Sequence, residues 1–107
     1  MHSYADREKL AHLFSQEVSL FEQRHPKSAA LHEKAMGSLM GGVPMSWMAK
    51  WPGPHPVYVA SAKGSRFTDV DGIEYVDFCL GDTGAMVGHS PDAAISAIPI
   101  NHPSSIT

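Results

Sequence analysis

Four prolines between residues 44 and 56 constrain this chain more than any other feature. Each proline removes a backbone donor and blocks the interior of a helix or a central strand, so residues 41–56 are predicted to form an irregular connector. The same stretch carries large apolar side chains that are costly to leave in water: Met45, Trp47, Met48 and Trp51. We therefore expect the connector to pack against another surface, with the lining of an apolar substrate pocket as the alternative.

Two amphipathic helices are predicted ahead of the connector. The first covers residues 5–23 and is expected to end at His25, because the residue before Pro26 is pushed out of the α region. The second begins at Pro26 or Ser28 and continues to Met40, where two glycines stop it. The first helix has apolar side chains at the i, i+3, i+4 spacing of one face: Leu10, Leu13, Phe14, Val18 and Phe21.

A three-stranded antiparallel meander is predicted after the connector, with Asp71-Gly72 as the strongest hairpin signal. Its strands are expected at residues 57–60, 66–70 and 73–80. A glycine-rich loop follows, and Ser90 is expected to cap a short helix that Pro99 ends. The predicted fold class is therefore α+β: two amino-terminal helices, a Pro/Trp connector, the meander and a short final helix.

Charge and hydropathy exclude several classes of function. Eight basic and eleven acidic residues give a net charge of −3, which argues against a nucleic-acid partner and against a polybasic membrane anchor. The sequence contains neither a membrane-spanning apolar run nor a secretory signal. Its one cysteine, Cys79, cannot form an internal disulfide. These features predict a cytoplasmic protein without membrane or nucleic-acid partners.

Few residues suggest chemistry by themselves. The glycine loop has neither the spacing of a phosphate-binding P-loop nor that of a dinucleotide fingerprint, so it is predicted to shape a turn, with ligand proximity as the alternative. The seven histidines lack the spacing of a metal site and are assigned to surface or turn positions, so no metal is expected. Cys79 falls inside the third predicted strand and is interpreted as a small buried apolar group.

The order of the pieces resembles the amino-terminal segment of class III pyridoxal-phosphate-dependent aminotransferases, near the glutamate-1-semialdehyde aminomutase-like branch. The resemblance covers roughly residues 26–98. It rests on Leu39-Met40-Gly41-Gly42-Val43, on the string from Ala62 to Phe78, and on Gly88-His89-Ser90-Pro91. In place of the usual Ile-Pro-Gly at the helix end, this sequence has Leu39-Met40-Gly41.

The resemblance implies a partial, small-domain piece of a fold-type I enzyme that is homodimeric and uses pyridoxal 5′-phosphate (PLP). The full-length enzyme would transfer an amino group of an amino acid or amine through a lysine–PLP Schiff base. Two stretches would bind substrate: Val43, Met45 and Trp47 after the glycine pair, and Gly81, Asp82, Thr83 and Gly84 in the later loop.

The same resemblance implies what the chain lacks. None of its lysines has the sequence context of the family's PLP lysine, and nothing corresponds to the large domain. We therefore predict no catalytic residue, no PLP on the chain alone and no independent activity. Three segments are expected: an amphipathic helix at 1–25, the aminotransferase-like segment at 26–98 and a disordered or out-of-family tail at 99–107. The alternative is a small non-enzymatic module that docks through the helix at 5–23 and the Trp47/Trp51 loop.

Overall fold

The computed structural model describes residues 6–98, which form an α+β arrangement of three helices, three strands and two short 3₁₀ turns. The predicted fold class is confirmed. The tail predicted at residues 99–107 lies outside the described residues. In chain order the elements are α1 (Arg7–Arg24), α2 (Pro26–Met36), 3₁₀ turns at Met40–Gly42 and Ser46–Ala49, β1 (Val59–Lys63), β2 (Arg66–Asp69), β3 (Glu74–Val76) and α3 (Asp92–Ala97).

The boundary between α1 and α2 lies where the sequence predicts it. Asp6 caps α1 by accepting the backbone N–H of Lys9 at 3.0 Å. His25 leaves the helical region, with φ −124° and ψ 46°, because Pro26 follows it. Pro26 then opens α2 at the first helical position, where its missing N–H has no consequence.

The end of α2 differs from the prediction, since the helix stops at Met36 rather than Met40. Gly37 is a weak helix former, and the N–H groups of Ser38 and Leu39 both turn back to the carbonyl of Ala35, at 3.0 and 2.8 Å. Leu39 itself is extended, with φ −120° and ψ 137°. The two glycines at 41 and 42, both at positive φ, therefore form a separate turn and are not the end of this helix.

The chain divides into two compact units. The helical unit contains residues 6–58 and 69–72 of the described chain, so the turn Asp69–Gly72 belongs with the helices. In this unit Asp71 accepts the N–H groups of Lys27 and Ser28, at 2.8 and 3.1 Å, and so places a carboxylate at the N-terminus of α2. Burial acts to raise the pKa of Asp71, but the two N–H donors, the Ser28 hydroxyl and the nearby His25 together leave the pKa below its ordinary value.

Two further contacts fix the same turn to the helical unit. The Ser28 hydroxyl accepts the N–H of Tyr58 at 3.1 Å, and the carbonyl of Tyr58 accepts the N–H of Val70 at 2.9 Å. Because Tyr58 is bonded here, the first strand begins at Val59 rather than at residue 57 as predicted.

A buried histidine–carboxylate pair, His25 and Asp69, connects the start of this turn to the junction of α1 and α2. His25 Nε2 is 3.3 Å from Asp69 Oδ2, and the side chains are 7% and 0% exposed. Asp69 Oδ1 accepts the N–H of Asp71, and His25 Nδ1 donates to the carbonyl of Phe21. The prediction that the histidines occupy surface or turn positions is wrong for His25 and also for His55, because both are buried.

The sheet unit contains residues 59–68 and 73–98, with strand order β1-β2-β3. β2 and β3 pair antiparallel, with Phe67 opposite Tyr75 and their ring centroids 4.7 Å apart. The connecting hairpin turns at Gly72, whose φ of 84° suits a residue without a side chain. The Asp71-Gly72 hairpin prediction therefore agrees with the structure.

The third strand is shorter than predicted, ending at Val76 instead of residue 80. The carboxylate of Asp77 accepts the N–H groups of Cys79 and Leu80, both at 2.9 Å, and folds the chain into a turn. Cys79 is consequently exposed, so its interpretation as a buried strand residue is wrong.

The last helix also begins differently from the prediction. Pro91, not Ser90, is the N-cap residue of α3, and no side chain caps the helix. Ser90 has a φ of 46°, and its carbonyl accepts a hydrogen bond from Lys63 Nζ. Among the helices of residues 6–98, none is long and apolar enough to cross a lipid bilayer.

Apolar burial is sparse in the described part of the chain, where Val43 is the one hydrophobic residue classed as buried. The apolar stripe of α1 is largely open: Leu10 is 59% exposed and Phe14 is 56% exposed. The tryptophans of the connector are also open, with Trp47 59% and Trp51 43% exposed. The two units therefore leave uncovered much of the surface that the sequence predicts to be packed.

Candidate functional site

The glycine-rich loop of the sheet unit is closed at its base by one carboxylate. Asp77 Oδ2 is 2.7 Å from His89 Nε2, while Oδ1 accepts the two N–H groups at the start of the loop. The hydrogen bond from His89, followed by the N–H donors of Leu80 and Cys79, lowers the pKa of Asp77 below its ordinary value. This carboxylate therefore joins Cys79 and Leu80, which lead into the loop, to His89 at its end.

A close backbone approach reinforces the closure. Gly64 and His89 exchange two backbone hydrogen bonds, at 3.0 and 2.8 Å. A Cβ placed on Gly88 would lie 3.1 Å from the Gly64 Cα, and Gly88 has a φ of 92°. Glycine at position 88 is thus required both by the conformation and by the space. The sequence contains Asp77 and His89 in recognisable motifs, but nothing in their spacing assigns them this role.

The four loop residues predicted to bind substrate form one exposed turn. Gly81 and Asp82 have φ values of 66° and 60°, and the N–H of Gly84 donates to the carbonyl of Gly81 at 3.1 Å. A left-handed aspartate is uncommon. Its carboxylate accepts a hydrogen bond from the Cys79 thiol at 3.3 Å. The structure therefore brings together Gly81, Asp82, Thr83 and Gly84 as neighbours in the turn.

Acidification tests the role of Asp77. Because its pKa is lowered in the folded chain, the carboxylate contributes stability above the ordinary value of 3.8, and that stability is lost as pH falls through the lower folded pKa. We expect the amides of Cys79 and Leu80 to lose protection from hydrogen exchange over that range. Asp77→Asn should abolish this pH-dependent step, whereas Asp82→Asn, in the same loop, should retain it. A step that persists in Asp77→Asn would contradict the assignment.

The other three predicted substrate residues lie in the helical unit, within the connector. Val43 is 7% exposed, whereas Met45 and Trp47 are 51% and 59% exposed. The Tyr58 hydroxyl donates to the Gly42 carbonyl at 3.3 Å and fixes the backbone just before Val43. Sequence reasoning did not identify Tyr58 as a positioning residue, since the contact spans sixteen residues.

Val43 also lines a cavity of about 190 Å³ in the helical unit. His32 and Met36 of α2 form one side of it, and Trp51 and His55 of the connector form another. The connector therefore lines this cavity, and the choice between packing and a substrate pocket stays a prediction.

The described part of the chain contains no group of three or more histidine, cysteine, aspartate or glutamate side chains placed to bind one metal ion. Among the lysines, Lys63 donates to the Ser90 carbonyl and forms an ion pair with Asp92. The Lys63 amine is therefore occupied by contacts within the sheet unit.

Comparison with known proteins gives a consistent set of relatives. The chain is 42% identical over 72 residues to a glutamate-1-semialdehyde 2,1-aminomutase of Methanosarcina acetivorans, covering 67% of this chain and 16% of the relative. It is 40% identical over 73 residues to the enzyme of the same name from Sulfurihydrogenibium azorense, covering 67% and 17%. The chain thus spans about a sixth of the length of these relatives. No family model matches.

Solved structures show the same relationship. A glutamate-1-semialdehyde aminomutase from Pseudomonas aeruginosa PAO1 superposes with a TM-score of 0.78 and 42% identity, over 85% of this chain and 20% of that one. A β-phenylalanine aminotransferase from Variovorax paradoxus has a TM-score of 0.71 at 23% identity, over 86% of this chain and 24% of that one, and so shows the fold alone. For the aminomutases, sequence and fold agree: the chain belongs to the class III pyridoxal-phosphate-dependent aminotransferases, as a partial segment of such an enzyme.

Proposed function

We propose that this segment forms part of the substrate side of a PLP-dependent aminotransferase or aminomutase that acts on an amino acid or an amine. The observation that supports this most is the agreement of 42% identity with a TM-score of 0.78 to an aminomutase. Relatives with the aminomutase name also align with two thirds of the chain. None of the reported relatives supports a stand-alone docking module.

Within that enzyme, we assign substrate contacts to the two stretches expected from the sequence. In the connector these are Val43, Met45 and Trp47. In the loop they are Gly81, Asp82, Thr83 and Gly84. Met45 cannot pair with a substrate carboxylate, since its thioether is uncharged and apolar. We therefore propose a substrate with a more apolar side chain than a dicarboxylic amino acid.

The cofactor of the whole enzyme is proposed to be PLP, which supplies an electron sink when bound. One structural relative is a transaminase with PLP bound, and another is an aminomutase in complex with PMP. The described residues do not fit the covalent part of such a site, because none of their lysines has the sequence context of the family's PLP lysine and Lys63 is also paired with Asp92 and Ser90. The segment is proposed to contribute walls and hydrogen bonds to the site, and not the lysine that binds the cofactor.

Incubation of the purified chain with PLP and borohydride tests the absence of a cofactor lysine. We expect no adduct at a unique lysine, since a surface ammonium reacts weakly and without selectivity. Peptide mass spectrometry locates any label, and the Lys63→Arg variant controls for reaction at the ion-paired lysine. Stoichiometric labelling of one lysine would contradict this part of the proposal.

A chimera tests the function directly. The segment of the Pseudomonas aeruginosa aminomutase that aligns with this chain is replaced by residues 26–98, and turnover is measured with a set of amino donors that includes glutamate-1-semialdehyde, apolar amino acids and apolar amines. We expect the chimera to fold, bind PLP and retain activity within about tenfold to a hundredfold of the parent, a loss of roughly 1.4–2.8 kcal/mol in transition-state binding.

The matched control is the same chimera carrying Asp69→Ala, which removes a buried carboxylate of the segment and should lower both folding and activity. A chimera that folds and binds PLP but has no measurable turnover of any amino donor would contradict the proposed function. The homodimer and the cytoplasmic location are proposals of the same kind. The oligomeric state of the chimera, measured by light scattering, addresses the first of them.

A further inference from the structure

The cavity beside Val43 contains two buried polar atoms that lack a partner. Nδ1 of His32 and Nε2 of His55 are both inaccessible to solvent, and neither has a hydrogen-bond partner among residues 6–98. Both histidines line the cavity of about 190 Å³. A buried polar atom without a partner destabilises the fold, so this pair of nitrogens indicates that a hydrogen-bonding group binds there.

The hydrogen bond of His55 Nδ1 determines which kind of group can bind to Nε2 of the same ring. The ring is 7% exposed, and its Nδ1 lies 3.0 Å from the carbonyl oxygen of Pro56. A carbonyl only accepts, so Nδ1 carries the proton and donates it. In the neutral ring, Nε2 therefore presents a lone pair, and its missing partner is a hydrogen-bond donor.

The position of His32 is set by a glycine. A Cβ on Gly42 would lie 2.9 Å from His32 Nδ1 and 3.1 Å from Met36 Sδ, so a larger residue at position 42 would displace the ring. The His32 and His55 ring centroids are 6.3 Å apart, with 29° between the ring planes. Two unpartnered imidazole nitrogens thus belong to neighbouring rings on one cavity.

Geometry and charge restrict the occupant. An amide NH₂ whose two N–H bonds diverge by about 120° joins two acceptors about 5 Å apart when each hydrogen bond is about 2.9 Å long. A metal ion would need further ligands, and the described residues contain no group of three or more side chains placed to bind one. Apart from the two histidines, no acidic or basic side chain is among the described residues that line the cavity. A cation would therefore have no carboxylate partner there, and an anion would face the lone pair of His55 Nε2.

We propose that this cavity binds a small uncharged molecule that carries a primary carboxamide. The amide NH₂ donates one hydrogen to His55 Nε2 and the other to His32 Nδ1. Its apolar part packs against Val43, Ala49 and Trp51, which line the same space. The size is suitable, because a cavity of roughly 150 Å³ in another protein holds benzene, a molecule of about six heavy atoms. All of these contacts lie within the helical unit, so the carboxamide site is independent of the proposed function.

The test compares two ligands on the unmodified chain. Isobutyramide has the NH₂ group, and 3-methylbutan-2-one has the same carbonyl and isopropyl group with a methyl group in place of the NH₂. Titrations followed by the ring ¹⁵N resonances of His32 and His55 should show isobutyramide binding at least about tenfold more tightly, as expected for hydrogen bonds to buried acceptors. Equal affinities, or ring nitrogens that do not respond to isobutyramide, would show that the cavity contains only water or binds by apolar contact, and would overturn the proposal.

Two variants locate the site. His55→Phe retains an aromatic ring but removes the acceptor, and Ala49→Leu fills the cavity while both histidines remain. Each should weaken isobutyramide binding by about tenfold or more, given the contribution of a hydrogen bond to a buried group. His12→Phe, on the exposed surface of α1, is the matched control and should leave the affinity unchanged. If His55→Phe does not fold by circular dichroism, Ala49→Leu and the ligand pair still decide the outcome.

Discussion

Replacing Asp69 by alanine is expected to unfold the helical unit, with a loss of about 3–5 kcal/mol, because it leaves His25 buried without its carboxylate. The two side chains are 0% and 7% exposed and 3.3 Å apart. The substitution also removes the acceptor for the N–H of Asp71. Since Val43 is the one hydrophobic residue classed as buried in the described chain, little apolar packing is available to offset the loss.

Urea unfolding followed by far-ultraviolet circular dichroism measures this effect. Glu74→Ala is the matched control, because it removes a carboxylate from the exposed ion pair with Arg66, in which both side chains are 59% exposed. Exposed pairs contribute about 0–1 kcal/mol. His25→Phe preserves the ring beside Phe21 but removes both nitrogens, and the double variant with Asp69→Ala should cost less than the sum of the single changes. Equal effects of Asp69→Ala and Glu74→Ala would refute the structural role of the buried pair.

Ser28→Ala is expected to have the next largest effect, lowering the free energy of unfolding by about 1–3 kcal/mol, because it leaves the partly buried N–H of Tyr58 without its acceptor. Ser28 is 0% exposed, and its hydroxyl is 3.1 Å from that nitrogen. The change should also make the backbone around Tyr58, which is bonded to the turn, locally more mobile. Hydrogen exchange of the Tyr58 amide is therefore the most direct measurement, and it should become faster in the variant.

Ser19→Ala provides the control for Ser28, since Ser19 lies exposed within α1. Alanine is a slightly better helix former than serine, so this change should leave stability the same or raise it by a few tenths of a kcal/mol. Unchanged protection of the Tyr58 amide in Ser28→Ala would mean that another group accepts its proton and that the assigned hydrogen bond is wrong.

Local stereochemistry explains why several elements could be predicted from sequence. The end of α1 at His25 follows from Pro26, and the hairpin follows from Gly72, whose positive φ is accessible to glycine. Each of these features depends on residues within a few positions of one another. The family could also be recognised, because its motifs are strings of neighbouring residues.

The predictions that failed depend on contacts with distant residues. The third strand ends early because Asp77 caps a turn and pairs with His89, twelve residues away. Cys79 is exposed for the same reason. Ser90 does not cap the final helix, and its carbonyl is bonded to Lys63, twenty-seven residues earlier. Periodicity and propensity carry no information about such partners.

The sequence alone determined the class of the elements, their order and the family, because proline, glycine and apolar spacing act over short distances. Only the tertiary structure showed that the Asp69–Asp71 turn caps α2 and pairs with His25, more than forty residues earlier in the chain. The same holds for the two unpartnered histidine nitrogens around one cavity. Hydrogen bonds and burial are decided by which atoms become neighbours in space, and one sequence does not specify those pairs.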